Sequence, residues 1–146
     1  MKKLIQFLSK THIPVKRMDW LLYAFRSMVS LELMIVHGFK KIGLGITTTE
    51  IVPNPYHLPE SLNQGFAILA NLLFPIMVIF GFLTRLAVIP ILMVTISGYF
   101  AVHWHDSLLV KDVPFMYSTA FLFILFSGPG RISVDHYLFK KYTYES

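Results

Sequence analysis

The sequence predicts an all-α fold, a bundle of four transmembrane helices, on three observations. Hydrophobic residues fill 55% of the 146 positions and charged residues only 14%, against roughly 45–50% and about 25% in soluble chains. Mean hydropathy is +0.60. Four stretches are long and apolar enough to cross a hydrocarbon layer of roughly 30 Å, which takes about 20 residues each. A small soluble domain hides only about two-thirds of its surface. This much apolar surface therefore calls for a lipid bilayer as solvent, with one domain filling positions 1–146. Disorder, coiled coil and nucleic-acid binding all need more charge than the chain carries. There is no cysteine, which excludes thiol chemistry and thiolate metal sites.

The first ten residues begin basic but have an apolar patch of only five residues and no small-residue cleavage site. They read as an interfacial amphipathic piece, Leu4, Ile5, Phe7 and Leu8 in lipid and Lys2, Lys3 and Lys10 on headgroups, and not as a removable signal peptide. The spans are expected at about 20–36, 66–83, 86–102 and 114–126, the last one short. Trp20, Tyr23, Tyr99 and Trp104 near their ends fit an aromatic belt. Between the first two spans, residues 43–64 hold three prolines, which bar a regular helix. This loop is either a solvated connection or a lid. Pro59-Glu60-Ser61 reads as a helix start, its acid placed favourably on the helix dipole. Nine Lys and Arg fall on the side of the termini and three on the other, which predicts cytoplasmic termini in a plasma membrane.

Ionisable residues inside spans are costly and mark function by default. At helical spacing Asp19, Arg26, Ser30, His37 and Lys41 fall on one stripe that must face protein or water. Arg26 and His37 are roughly 16 Å apart along the axis and so serve opposite membrane faces. Arg26 either pairs with Asp19 as a structural cation or contacts a quinone or lipid headgroup. Glu32 lies off the stripe, either hydrogen-bonded to Asn71 or acting as a proton relay. Spans one and three run in the same direction, so His37 and His103, with His105 and Asp106, emerge on one face. These imidazoles can pack as polar side chains, hold a metal, or carry protons at a quinone ring. On the third reading His37 and His103 are the candidate proton donors, and Lys41 and His105 the substrate-binding groups.

Four motifs then stand in order. Val36-His37-Gly38-Phe39-Lys40-Lys41-Ile42 resembles the end of helix one in the DoxX family of small membrane proteins. Gly81-Phe82-Leu83-Thr84-Arg85 resembles that family's turn between helices two and three, and His103 stands where its third helix ends in His. Gly128-Pro129-Gly130-Arg131-Ile132-Ser133-Val134-Asp135 resembles its tail. In physical terms Gly81 permits close helix approach, and Arg85 and Arg131 anchor one membrane face. Gly128, Pro129 and Gly130 stop the fourth helix. Ser133 caps an interfacial helix over about 133–142 that carries Val134, Tyr137, Leu138, Lys140 and Lys141. The resemblance implies a four-helix protein linked to quinone redox chemistry, some relatives being subunits of a thiosulfate:quinone oxidoreductase. Two positions depart from the family pattern. Asn71 and Phe74-Pro75 stand where relatives have an acid and paired glycines, and Glu32 is an extra acid. No flavin, haem or iron–sulfur motif occurs, so electrons must come from a partner protein or a soluble donor. The competing function is a non-catalytic assembly or scaffold subunit of a larger membrane complex, and either reading implies a partner protein or a homo-oligomer.

Overall fold

The computed structural model describes residues 14–45 and 50–143. The amphipathic start at Leu4–Leu8 and Thr47–Thr49 of the loop lie outside the described residues. Every regular element among the described residues is helical: α1 (Val15–Lys41), α2 (Glu60–Phe80), α3 (Thr84–Val102), α4 (Leu108–Ser127) and α5 (Val134–Thr143). The first four are long and apolar enough to cross a membrane. Helix α1 packs on α2, α2 on α3 and α3 most extensively on α4, while α4 closes back on α1. Val78, Val88, Ile91, Phe121 and Ile124 form the buried seam, with Leu33 reaching it from α1.

All four spans are longer than the sequence predicts, α1 and α4 most of all. Helix α1 begins at Val15, five residues before Trp20, because Pro14 precedes it and bonds Arg17 and Met18 through its carbonyl. Helix α4 has 20 residues and starts at Leu108. Pro114 is its seventh residue, close enough to the start that little of the ladder is lost. Lys111 leaves the helix face to donate from Nζ to the Trp104 carbonyl at 2.6 Å, which removes the cost of a charge in the first turns. Helix α2 starts as Pro59-Glu60-Ser61 predicts, with Pro59 immediately before it and Glu60 in its first turn, but it stops at Phe80, short of the expected 83, because Gly81 turns left-handed.

Three of the spans widen into a π turn at Met34–Gly38, Leu69–Leu73 and Gly98–Val102. All three lie towards the end of the bundle that carries the long loop, here called the loop face. Such turns are rare and collect at functional sites. The first two pack against each other. A Cβ on Gly38 would stand 2.5 Å from the Asn71 carbonyl oxygen, so only glycine permits this approach.

The opposite, basic face is locked by its motifs. Gly81 ends α2 with φ +68°, and its missing Cβ makes room for Ser133 and the Arg26 guanidinium. Its service is thus to a loop and a buried cation and not to a second helix. Ser133 accepts the His136 N–H and caps α5 as expected. Arg85 donates from Nε to the Leu125 carbonyl, tying the 2–3 turn to the end of α4.

Candidate functional site

The stripe on α1 faces protein as its spacing requires: Arg26 and Ser30 are buried, and Asp19, His37 and Lys41 half-buried. Its two ends do different things. At the basic face Arg26 is 2% exposed and does not pair with Asp19. Its guanidinium donates to the carbonyls of Pro129, Ile132 and Ile79. Asp19 instead accepts the Arg131 N–H at 3.0 Å, and the Arg131 side chain is exposed. The reason is the tail. Gly128 and Gly130, both at φ +75°, fold it back so that its carbonyls reach Arg26 before a carboxylate can.

At the loop face His37 sits in the π turn of α1. Its ring meets the Tyr117 ring of α4 edge-on, centroids 5.4 Å apart and planes at 90°. Neither ring nitrogen of His37 nor the Tyr117 hydroxyl has a hydrogen-bond partner among the described residues. Glu32 is exposed on α1 and likewise takes no hydrogen bond there. The expected Glu32–Asn71 bond does not form. Asn71 is buried and donates at 2.7 Å to the Ala67 carbonyl of its own helix, at the edge of the widened turn. His37 and Tyr117 therefore meet between α1 and α4 with their polar side-chain atoms unspent among the described residues.

Lys41, one turn beyond His37, donates to the His37 carbonyl at 3.3 Å and to Glu50 at 3.2 Å. This ion pair draws the loop over the end of α1. Tyr56 reaches Ser97 of α3, and Asn63 holds the carbonyls of Val52 and Pro53, so the loop is fastened to three spans. His103 lies past the end of α3 and bonds Asp106 from Nδ1 at 2.7 Å. His105 is exposed beside it. No hydrogen bond or ring contact joins His37 to His103. Among the described residues no three His, Asp or Glu side chains gather as a metal site.

Tyr117 is the residue sequence reasoning missed. It lies among Phe115, Met116, Phe121 and Leu122 and reads as one more aromatic. The only signal was Ser118 and Thr119 next to it, polar side chains in an apolar run.

Comparison with known proteins agrees with this architecture. A family model described as DoxX matches residues 21–104, more than half of the chain. A Haemophilus influenzae protein, described only as uncharacterized, is 28% identical over 99 residues, which are 64% of this chain and 66% of that protein. No solved structure matches.

Proposed function

Since the chain belongs to the DoxX family, we propose that it is a quinone-linked redox subunit of the membrane that receives a quinone headgroup at His37 and Tyr117. The observation that carries this reading is the ring pair itself: two unspent polar groups, half-buried within candidate membrane spans. A quinone, when bound, supplies a two-electron, two-proton couple and presents two carbonyl acceptors. The Tyr117 hydroxyl and an N–H of His37 are donors that suit such carbonyls. Their T-shaped contact fixes both rings, so little freedom is lost on binding.

Glu32, exposed on α1 and five residues before His37, serves as the proton relay in this reading. Lys41 places a cation one turn above, held by Glu50 so that it stays near the site. His103 with Asp106 can pass protons between this end of the bundle and the surrounding water. Electrons come from a partner subunit or soluble donor. In this reading the basic face is cytoplasmic, with both termini, in the plasma membrane, the orientation that nine against three cations favours.

The test is mass spectrometry of the small molecules carried by the purified protein. Co-purified quinone supports the proposal. Large subunits co-purifying without quinone would transfer the chain to the assembly-subunit class.

A further inference from the structure

A groove of about 300 Å³ opens at the basic face, between α1, the end of α2 and the start of α5. Tyr23, Arg26, Phe80, Val134 and Tyr137 wall it. Its size is at the lower end of ligand pockets, and most of its wall is apolar. Ser133, also in the wall, is spent on the Gly130 carbonyl and the His136 N–H, which leaves Arg26 as the charged group of the groove. Arg26 carries a permanent positive charge, is 2% exposed, and its guanidinium bonds are to carbonyls alone. Carbonyl dipoles orient a guanidinium but do not cancel its charge. Asp135 acts on it from a distance, and both oxygens of that carboxylate are engaged by Leu83 and Thr84.

The Arg26 Nε–H is buried and has no partner. The hydroxyls of Tyr23 and Tyr137 have none among the described residues either. One buried unspent donor on Arg26, the half-buried Tyr23 hydroxyl and the exposed Tyr137 hydroxyl at the rim call, with a net positive charge, for a ligand with acceptors only, a negative charge and a hydrocarbon part. A phosphodiester on acyl chains is such a ligand. Lys16, Arg17, Arg131 and Lys140 are exposed on the same face and raise the local concentration of anionic lipid.

We propose that this groove is a binding site for an anionic phospholipid of the leaflet at the basic face. The phosphate lies against Arg26 and takes the hydroxyls of Tyr23 and Tyr137, and the first acyl segment follows Phe80 and Val134. The Tyr23 ring lies over the guanidinium, 5.3 Å from its central carbon, and a turn of this ring opens Nε to the phosphate. The site lies across the bundle from the His37–Tyr117 pair, so it stands or falls independently of the quinone reading.

The experiment is native mass spectrometry of the full chain released from nanodiscs of mixed phosphatidylglycerol and phosphatidylcholine. Retained phosphatidylglycerol is expected in preference to phosphatidylcholine. The double change Tyr23→Phe/Tyr137→Phe, which removes two hydroxyls and keeps both rings, is expected to lower retention by roughly a hundredfold or more, about what two hydrogen bonds to a charged group contribute. Val134→Trp, which fills the groove without touching Arg26, is expected to abolish it. Equal retention of both lipids, or unchanged retention in both variants, would overturn the proposal. So would displacement of the lipid by inorganic phosphate at equal concentration, since the acyl part would then be irrelevant. Quinone retained in the groove in place of lipid would also overturn it.

Discussion

The carboxylate of Asp135 caps Thr84 across the basic face, accepting both its backbone N–H at 2.9 Å and its hydroxyl at 2.8 Å. The other oxygen takes the Leu83 N–H at 2.7 Å, and the Asp135 N–H returns a bond to the Gly81 carbonyl at 2.8 Å. Leu83 stands at φ +46°, a conformation that costs a leucine free energy. The cap from Asp135 offsets that cost. Two sequence motifs about fifty residues apart are therefore one structural unit.

Removing the cap should show this directly. Asp135→Ala is expected to destabilise the bundle by about 2 kcal/mol, the upper range for losing a helix cap. Asp135→Asn keeps an acceptor and is expected to lose about half of that. Thermal unfolding in detergent measures both. Equal stability of Asp135→Ala and the parent would show that the tail does not hold the 2–3 turn.

Arg26 is expected to be less replaceable than any surface cation. Arg26→Met strips the half-buried carbonyls of Pro129, Ile132 and Ile79 of their donor, at about 1 kcal/mol for each acceptor left unpaired, the low end of the range for a buried one. The variant should unfold at markedly lower temperature, while Arg131→Met, whose side chain is exposed, should not. Protease access to the tail, measured in parallel, should rise in Arg26→Met alone.

Gly38→Ala tests the contact between the π turns of α1 and α2. Its Cβ would press on a backbone carbonyl that cannot move away cheaply, and overpacking of this kind costs about 1–3 kcal/mol. Gly65→Ala, where the added Cβ meets nothing within 4 Å, is the control and should be neutral or stabilising.

Much of this was legible in the sequence because membrane spans are written in composition. Four apolar runs, Pro59-Glu60 at a helix start and the Gly-Pro-Gly stop after α4 need no tertiary knowledge. The inward stripe through Arg26 and His37 followed from helical spacing alone. What each stripe residue touches did not follow. Arg26 faced Asp19 at helical spacing, and the competing carbonyls come from a tail more than a hundred residues on, folded back by two glycines. Asn71 matched Glu32 in depth, but a π turn shifts the register of its helix, and hydropathy does not record that shift. Tyr117 was invisible for a similar reason. Its partner His37 lies on a different helix, and contact between helices depends on rotation about their axes.

The orientation prediction rests on charge alone. Reporter fusions at either terminus should be active only in the cytoplasm, because nine of the twelve counted cations lie on that side. A periplasmic signal from the C-terminal fusion would invert the assignment and place the His37–Tyr117 pair at the inner leaflet.

Glu32→Gln separates proton relay from packing. The side chain is exposed and without a hydrogen bond among the described residues, so the change should leave the melting temperature where it is. As a relay, the residue should take quinone-linked turnover with it when changed. Loss of stability together with turnover would mark a structural role instead.

The central claim, that a quinone headgroup meets His37 and Tyr117, is tested most directly by titrating a short-chain quinone into the protein in nanodiscs. The parent is compared with His37→Gln/Tyr117→Phe, with thermal unfolding measured on the same samples. Losing two hydrogen bonds is expected to raise Kd roughly tenfold with little change in melting temperature. Equal Kd in parent and variant, at equal stability, would contradict the account.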